Sequence, residues 1–322
     1  MERAAPSAAI ELRGVTKAFG DFVAVHPLDL LIPRGSTYGL LGPNGAGKTT
    51  TIRMILRIIE ADTGSIDILG EPQSQRGLDR IGYLPEERGI YRRMKVRRLL
   101  SFFAELKGIS PRESGPRIGE WLERLELTDR ADAKLQELSK GMQQKIQFIG
   151  AVLHEPEVVI LDEPFSGLDP INQRVLREII TDLKRAGRTI LFSTHIIEHA
   201  ERICDHVCII GRGSKVVDGP IAEVKQRHGT GYVAITLAEW SSGVIDGLRR
   251  LPQVAELREQ GSTLELRLRE HADPQELLRQ LVGQRLAVKR FEVTEPSLEQ
   301  IFIERVGAQT DALISDEELV HV

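Results

Sequence analysis

Cysteine is nearly absent from this sequence, whose 322 residues include only Cys204 and Cys208. Two cysteines cannot form the disulfide framework of a small secreted protein, and such usage is typical of a reducing cytoplasm. His195, His199 and His206 lie near them in the sequence, but the spacing fits no compact zinc pattern. We therefore interpret both cysteines as small buried apolar residues.

Long apolar runs are also missing, and neither sign of charge is in large excess. No segment approaches the roughly 18 to 20 apolar residues of a spanning helix, and residues 1–6 lack the apolar stretch of a secretory signal. If the protein acts at a membrane, we expect another chain to cross it.

Lys and Arg number 43 against 47 Asp and Glu, a formal net charge of -4. This balance argues against nucleic acid as a partner.

The length suits about two domains, and the residue pattern divides accordingly. Apolar runs alternate with helical patterns through the first two thirds, which predicts an α/β domain with a mostly parallel sheet. The remainder predicts the order βαββαβα, a ferredoxin-like α+β arrangement with one added helix. We assign residues 1–9 to a flexible N-terminus, 10–228 to the α/β domain with a helical subdomain at about 90–155, 229–308 to the small α+β domain, and 309–322 to an acidic tail.

Three apolar runs in the α/β domain read as short buried strands, at residues 37–41, 158–161 and 189–193. Polar residues capable of chemistry follow each run directly. In an open α/β sheet the ligand crevice lies outside the carboxyl ends of the strands. We therefore expect these polar residues to converge on one site.

The segment GPNGAGKT at residues 42–49 matches the phosphate-loop pattern, between a predicted strand and a predicted helix. Its glycines allow the backbone to curl around phosphate oxygens, while amide groups and the helix N-terminus supply positive potential. Lys48 would bridge the outer phosphates, and the Thr49 hydroxyl would ligate Mg²⁺. The candidate binding residues here are Gly42, Pro43, Asn44, Gly45, Ala46, Gly47, Lys48, Thr49 and Thr50.

Two carboxylates and a histidine follow the other two predicted strands. At the same sheet edge as the phosphate loop, Asp162 is placed to hold Mg²⁺, and Glu163 to orient or deprotonate an attacking water. His195 is placed to contact the γ-phosphate and the water. A solvated strand end and a structural histidine are the simpler interpretations of these residues taken alone.

The segment LSKGMQQ at residues 138–144 contains Ser139 and Gly141 at the start of a predicted helix. An ordinary serine N-cap explains this segment when it is taken alone. A serine and a glycine at an exposed helix start also form an anion site.

Five ordered motifs together resemble the ATP-binding subunit of an ABC transporter. They are the phosphate loop, LSKGMQQ, VVILDEP at 158–164, SGLD at 166–169 and STH at 193–195. The resemblance implies an ABC ATPase domain that binds and hydrolyses ATP with Mg²⁺, with Glu163 and His195 as catalytic residues. It also implies that Ser139 and Gly141 bind the γ-phosphate of ATP held by a second copy, and that Asp169 belongs to a loop crossing that interface.

Further expectations follow from the same resemblance. Phe19 falls where the family has an aromatic residue that stacks on adenine, and phenylalanine keeps the π-face. The partners would be a second copy in an ATP-sandwich dimer and a separate integral-membrane permease. The protein would then lie peripherally on the cytoplasmic face of the cell membrane.

Glu86 departs from the family pattern, because most members have a glutamine at this position that contacts Mg²⁺ and the attacking water. The carboxylate of Glu86 would either ligate Mg²⁺ or turn toward solvent beside Glu87.

The segment 85–91, the small C-terminal domain and the ending EPSLEQIF at 295–302 resemble the sodium-efflux (NatA-like) and drug-efflux exporter subunits. The transported substrate, whether Na⁺, a drug, a lipid or a saccharide, would be selected by the permease.

Two other classes of protein share parts of this pattern. A soluble ABC ATPase not coupled to transport is the main alternative, but translation-type members usually carry two phosphate loops and repair-type members a long coiled coil. This sequence has one phosphate loop and no sustained heptads. A P-loop GTPase or kinase would leave LSKGMQQ without a role, and no Asn-Lys-x-Asp guanine motif is present.

Overall fold

The computed structural model describes residues 8–87, 91–228, 231–239, 241–269 and 272–306. The chain divides into two compact units, one ending at Gly219 and the other beginning at Pro220. This division precedes the predicted one at residue 228, because the helix after Gly219 groups with the second unit. Residues 229 and 230, where the predicted boundary lay, and the predicted tail at 309–322 fall outside the described residues.

The first unit contains both strands and helices, and strands occur where the sequence predicts them, at residues 37–41, 158–161 and 189–193. The strands are β1 (Ala8–Phe19), β2 (Phe22–Pro33), β3 (Thr37–Leu41), β4 (Thr63–Ile68), β5 (Glu71–Pro72), β6 (Ile81–Leu84), β7 (Val158–Asp162), β8 (Thr189–Thr194), β9 (His206–Gly211) and β10 (Ser214–Pro220). The helices are α1 (Lys48–Ile55), α2 (Gln75–Asp79), α3 (Val96–Leu106), α4 (Pro111–Arg124), α5 (Lys140–Val152), α6 (Pro170–Arg185) and α7 (Ile197–Ile203), with 3₁₀ turns at Thr128–Arg130 and Leu135–Glu137.

A six-stranded sheet forms the centre of this unit, in the order β10-β9-β3-β8-β7-β6. The pairings β9-β3, β3-β8, β8-β7 and β7-β6 are all parallel. Every residue of β3, β7 and β8 is buried, as expected for apolar strands covered on both faces. Because these strands are parallel, their carboxyl ends meet at one edge, and the polar residues after them converge there.

A second, antiparallel sheet has the order β2-β1-β4-β5 and was not foreseen from the sequence. Its long strands β1 and β2 pair with several register irregularities, which break the simple alternation that marks a strand in sequence. β1 begins at Ala8, and Ala9 is fully buried. The boundary predicted for a flexible N-terminus at residue 9 is therefore two residues too late.

The second unit has the ferredoxin-like arrangement that the sequence predicts. After α8 (Ile221–His228), its elements are β11 (Tyr232–Leu237), α9 (Ser242–Arg249), β12 (Val254–Gln260), β13 (Thr263–Leu268), α10 (Pro274–Gly283), β14 (Val288–Thr294) and a helix over residues 298–306. The sheet order is β12-β13-β11-β14, with antiparallel neighbours throughout.

One face of this sheet is apolar and the other polar. Leu264, Leu266 and Leu268 belong to the buried core, while Glu265 and Arg267 alternate with them on the opposite face. Across both units, none of the helices in the described part of the chain combines the length and apolarity needed to cross a membrane.

Candidate active site

The loop joining β3 to α1 has a backbone that only glycine accommodates easily. Gly45 and Gly47 have φ values of 79° and 101°, in the left-handed region. A methyl group on Gly47 would lie 2.6 Å from the carbonyl oxygen of Ala24, and one on Gly42 would collide with the carbonyl oxygen of Ile210. The loop is thus held closely between β2 and β9, with its amide groups leading into α1.

Lys48, the first residue of α1, is only 6% exposed. Its Nζ donates hydrogen bonds to the carbonyl oxygens of Gly42 at 2.8 Å and Pro43 at 3.0 Å. Burial lowers the pKa of Lys48, and the nearby carboxylates of Glu163, Asp162 and Glu86 oppose this shift. The site therefore holds one ammonium group next to three carboxylates, and this excess of negative charge favours a cation beside any phosphate that binds there.

Asp162 ends β7 and is fully buried. Ser193 on β8 donates a hydrogen bond to its Oδ1. Its Oδ2 is buried and has no hydrogen-bond partner among the described residues. Burial raises the pKa of Asp162, while the hydrogen bond from Ser193 and the nearby Thr49 hydroxyl act in the opposite direction.

These features of Asp162 fit a divalent cation. A buried carboxylate oxygen without a partner is unfavourable unless something binds it, and hard cations such as Mg²⁺ prefer oxygen ligands. The hydroxyl of Thr49 lies near the same carboxylate. Both predicted Mg²⁺ ligands from the strand edge and the phosphate loop are therefore close to each other.

Glu163 has a left-handed backbone, with φ of 48°, and is 7% exposed. Its Oε2 accepts a hydrogen bond from the Thr194 hydroxyl at 3.1 Å. Its Oε1 accepts from the backbone N–H of His195 at 2.9 Å and from Nδ1 of the same histidine at 2.7 Å. Three donors at the end of β8 thus fix the position of one carboxylate at the end of β7.

His195 therefore has a contact that the sequence did not predict. Its side chain is about half exposed, at 47%, and its ring holds Glu163 through Nδ1. The other ring nitrogen, Nε2, is left available to a ligand. The arrangement allows His195 to orient the carboxylate of Glu163, although His195 itself is not among the residues that line the cavity over the phosphate loop.

A cavity of about 420 Å³ opens over the phosphate loop. Its lining residues are Phe19, Phe22, Ala24, Asn44, Gly45, Ala46, Gly47, Lys48, Thr49, Thr50, Glu86, Asp162 and Glu163. Of the predicted loop residues, Gly42 and Pro43 are not in this lining and contribute the carbonyl groups that bind Lys48. Glu86 is exposed and also lines the cavity, so it faces both solvent and the site.

The tip of the β1-β2 hairpin supplies two aromatic rings to this cavity. Phe19 pairs with Phe22 across the turn, and they are 52% and 63% exposed. Lys17 Nζ lies 5.6 Å from the centroid of the Phe19 ring and is bound to Asp62 at 2.6 Å. Phe22 was missed by sequence reasoning, although Gly20-Asp21 between two strand-like runs is a two-residue hairpin signal.

Ser139, Gly141 and Asp169 do not line the cavity of their own chain. Ser139 caps α5, accepting a hydrogen bond from the Met142 backbone N–H at 3.2 Å. Asp169 caps α6, accepting from the N–H groups of Ile171 and Asn172 at 3.0 Å each. The predicted local role of Ser139 as an N-cap is therefore present, and both capping residues are exposed.

The histidines and cysteines near residue 200 form no metal centre. Among the described residues, no group of three or more His, Cys, Asp or Glu side chains could hold a metal ion. Cys208 is fully buried, and burial raises the pKa of the thiols of both Cys204 and Cys208. The interpretation of these cysteines as packing residues agrees with this environment.

Comparisons with known sequences match this arrangement. Residues 25–166 match the family model of the ABC transporter, and residues 219–306 match that of the ATP-binding protein DrrA1-3-like C-terminal domain. The chain is 47% identical to the ABC transporter ATP-binding protein YhaQ of Bacillus subtilis, over 91% of this chain and 97% of that protein. It is 35% identical to Nod factor export ATP-binding protein I of Cupriavidus metallidurans, over 94% of this chain and 99% of that protein.

Solved structures give the same result for the fold. A structure described as the ATP-binding subunit of an ABC transporter matches with a TM-score of 0.64 and 31% identity, over 68% of this chain and 92% of that chain. A nucleotide-free ATP-binding cassette matches with a TM-score of 0.60, over 68% of this chain and 95% of that one. The predicted P-loop ATPase fold is confirmed.

Proposed function

The chain belongs to the ATP-binding subunits of ABC transporters, and from this membership we propose that it powers export through a separate integral-membrane permease. It is an ATP hydrolase, as its ATPase family hydrolyses ATP. Subunits of this kind pair with membrane components and dimerise. The observation that carries the proposal is the 420 Å³ cavity in which Lys48, Asp162 and Glu163 meet over the phosphate loop.

ATP binds with its phosphates on the loop and its base at the hairpin tip. Residues 44–50, which include the N-terminus of α1, line the cavity, and their backbone amide groups would supply donors to phosphate oxygens. Lys48 exchanges its hydrogen bonds with Gly42 and Pro43 for phosphate contacts, which its buried ammonium favours. Phe19 offers a ring face on which the adenine can stack. Lys17, which is paired with Asp62, lies close to the same ring.

Mg²⁺ would be held by the Thr49 hydroxyl and by Asp162, with Glu86 as a further ligand or a solvent-facing neighbour. When bound, the cation neutralises charge that develops on the transferred phosphoryl group. Asp162 contributes Oδ2, its buried oxygen without a partner, while Ser193 fixes Oδ1. Glu86 is exposed and lines the cavity, so its position is compatible with either role.

Glu163 acts as the base that orients and deprotonates the attacking water. A positioned base contributes about 10²- to 10⁴-fold to a rate, provided that its geometry is fixed. Thr194 and His195 fix it here with three hydrogen bonds. His195 thereby acts in two ways, through Nδ1 on the base and through Nε2 on the γ-phosphate.

Ser139, Gly141 and Asp169 complete the site of a second copy rather than their own. They lie outside the cavity of the same chain, and the exposed start of α5 presents free amide groups to an anion. In a head-to-tail pair, each chain would place its α5 start on the triphosphate of the other. Two ATP molecules would then be enclosed between the two subunits.

Two similarities support export. One relative that matches over nearly the full length is named for Nod factor export, and the second unit matches a DrrA-like C-terminal domain. The motif resemblance to the sodium-efflux and drug-efflux subgroup points in the same direction. The cargo belongs to the classes Na⁺, drug, lipid or saccharide, and the permease selects among them.

A soluble ABC ATPase is the alternative, and a transport assay separates the two. The chain would be co-expressed with the permease encoded nearest its gene, and inside-out vesicles would be prepared. We expect ATP-dependent uptake of one cargo class into these vesicles, copurification of the two chains, and loss of uptake with Glu163→Gln. Glu178→Gln is the matched control, because Glu178 is an exposed residue of α6 outside the cavity.

Absence of both copurification and uptake for every cargo class, with ATP hydrolysis intact, would contradict the transport proposal and favour the soluble alternative. Uptake into right-side-out vesicles only would contradict the direction of transport while leaving the permease partnership in place.

A further inference from the structure

A second cavity, of about 150 Å³, lies within the C-terminal unit and has no part in nucleotide chemistry. It opens to solvent between the polar face of the sheet and the helix over residues 298–306, where Ile303 and Glu304 are exposed. Its lining residues are Tyr232, Glu256, Arg258, Glu265, Leu266, Arg267, Gln300, Ile303 and Glu304. Five of these nine residues are charged, so the cavity is suited to water or to a charged ligand.

Tyr232 at the start of β11 lines this cavity. The residue is 6% exposed, and its hydroxyl forms no hydrogen bond with a described residue, so the hydroxyl is available to a ligand in the cavity. Burial raises the pKa of Tyr232, and Glu304 raises it further while Arg267 opposes, so both charges act on this hydroxyl.

Two arginines provide the positive side of the cavity. Arg258 Nε donates to Glu256 at 2.8 Å, and Arg267 Nε lies 3.6 Å from the other oxygen of the same carboxylate. The carboxylate of Glu256 therefore contacts two guanidinium groups, each through its Nε atom. In the part of the chain that the structure describes, the terminal nitrogens of both arginines have no hydrogen-bond partner. A guanidinium fork in this state is suited to a carboxylate.

Two glutamates provide the negative side. Glu304 forms no ion pair with any described residue. Glu265 accepts one hydrogen bond, from Gln300 Nε2 at 2.8 Å, on Oε2. Their carboxylates, together with the Tyr232 hydroxyl, offer acceptors for an ammonium group.

We propose that this cavity binds a small zwitterion of the α-amino acid class, with its carboxylate on Arg258 and Arg267 and its ammonium on Glu304 and Tyr232. A simple anion would meet three glutamates, and a simple cation would meet two arginines. A ligand with both charges a few ångströms apart satisfies both sides at once. The volume of about 150 Å³ admits a small amino acid.

Calorimetric titration of the full chain with L-alanine tests this proposal. Acetate and ethylamine serve as half-ligands that keep only the carboxylate or only the ammonium. We expect saturable binding of alanine, and binding of each half-ligand weaker by about tenfold or more, because each loses one charge-assisted contact. Tyr232→Phe removes only the hydroxyl and should weaken alanine binding about fivefold.

Charge variants and a matched control complete the design. Glu304→Gln and Arg258→Gln should each weaken alanine binding by about tenfold or more. Arg279→Gln lies on α10, outside the cavity lining, and should leave binding unchanged. Circular dichroism of each variant verifies the fold, and Tyr232→Phe keeps the test decisive if an arginine variant fails to fold.

Three results would overturn the proposal. Alanine giving no saturable heat up to about 10 mM would leave the cavity as a hydrated ion-pair network. Acetate binding as tightly as alanine would make it an anion site. Alanine binding that is unaffected by Tyr232→Phe and by Glu304→Gln would place the ligand elsewhere.

Discussion

Replacing Glu163 with glutamine removes the proposed base while keeping the size of the side chain. The carboxylate accepts hydrogen bonds from Thr194 and from two nitrogens of His195, over distances of 2.7 to 3.1 Å. An amide keeps one acceptor oxygen, which can accept both hydrogen bonds from His195, and its NH₂ group can donate to the Thr194 hydroxyl. The variant therefore loses the proton acceptor while its side chain can stay in place.

The expected magnitude follows from the loss of the proton acceptor. A positioned base contributes about 10²- to 10⁴-fold, which corresponds to about 3 to 5 kcal/mol of activation free energy. Binding of ATP should survive, since Lys48 and the loop amides make their contacts independently of Glu163. We therefore expect turnover to fall by that factor, and an ATP-bound dimer to accumulate.

Single-turnover hydrolysis of radiolabelled ATP measures the chemical step, and equilibrium dialysis measures affinity. Glu178→Gln is the control for the loss of an exposed carboxylate. Hydrolysis by Glu163→Gln at the wild-type rate would refute the assignment of the base. A parallel loss of ATP affinity and rate would show instead that Glu163 acts in binding.

Four further predictions use other parts of the structure. Lys48→Ala should weaken ATP binding by about tenfold or more, because the buried ammonium is lost; unchanged affinity in equilibrium dialysis would contradict the role of the loop. Mixing Lys48→Ala chains with Ser139→Arg chains should restore one complete site per heterodimer and recover ATPase activity, whereas an inactive mixture with heterodimers present would argue against action in trans. Glu86→Gln should tighten ATP binding at low salt with hydrolysis intact if its charge repels the γ-phosphate, and no change at low or high salt would reject that electrostatic role. Burial lowers the pKa of His154 to about 4. Between about pH 6.5 and 4 the unfolded chain therefore binds a proton that the folded chain does not. The free energy of unfolding should decrease as the pH falls through this range. His154→Gln, which can still donate to the Ile81 carbonyl, should reduce that dependence in urea unfolding at pH 7 and pH 5; an identical dependence would show that other groups cause it.

The strands that position the site were predictable because buried strands have continuous apolar sequences. β3, β7 and β8 lie at or within one residue of the predicted positions, and all their residues are buried. Because ligands bind at the carboxyl ends of parallel strands, the sequence also predicted that the phosphate loop, Asp162 and Glu163 lie at one site.

Other features depend on contacts between distant segments, which a local pattern does not contain. Phe22 reaches the cavity only because the β1-β2 hairpin lies over the phosphate loop. The antiparallel sheet was missed because irregular pairing along β1 interrupts the alternation of its side chains. The hydrogen bond from His195 to Glu163 requires the β7-β8 pairing, and the sequence indicated only that both residues lie at one edge.

The two glycines held between the sheets affect how genetic screens of this protein should be interpreted. A methyl group on Gly42 or Gly47 collides with a carbonyl oxygen of β9 or β2 even when no nucleotide is bound. Gly45 has open space around it, and its replacement is disfavoured only by its φ of 79°. Alleles at Gly42 and Gly47 would therefore score as null through damage to the resting protein, whereas lesions at cavity residues such as Lys48 and Thr49 would report on the contacts made by ATP.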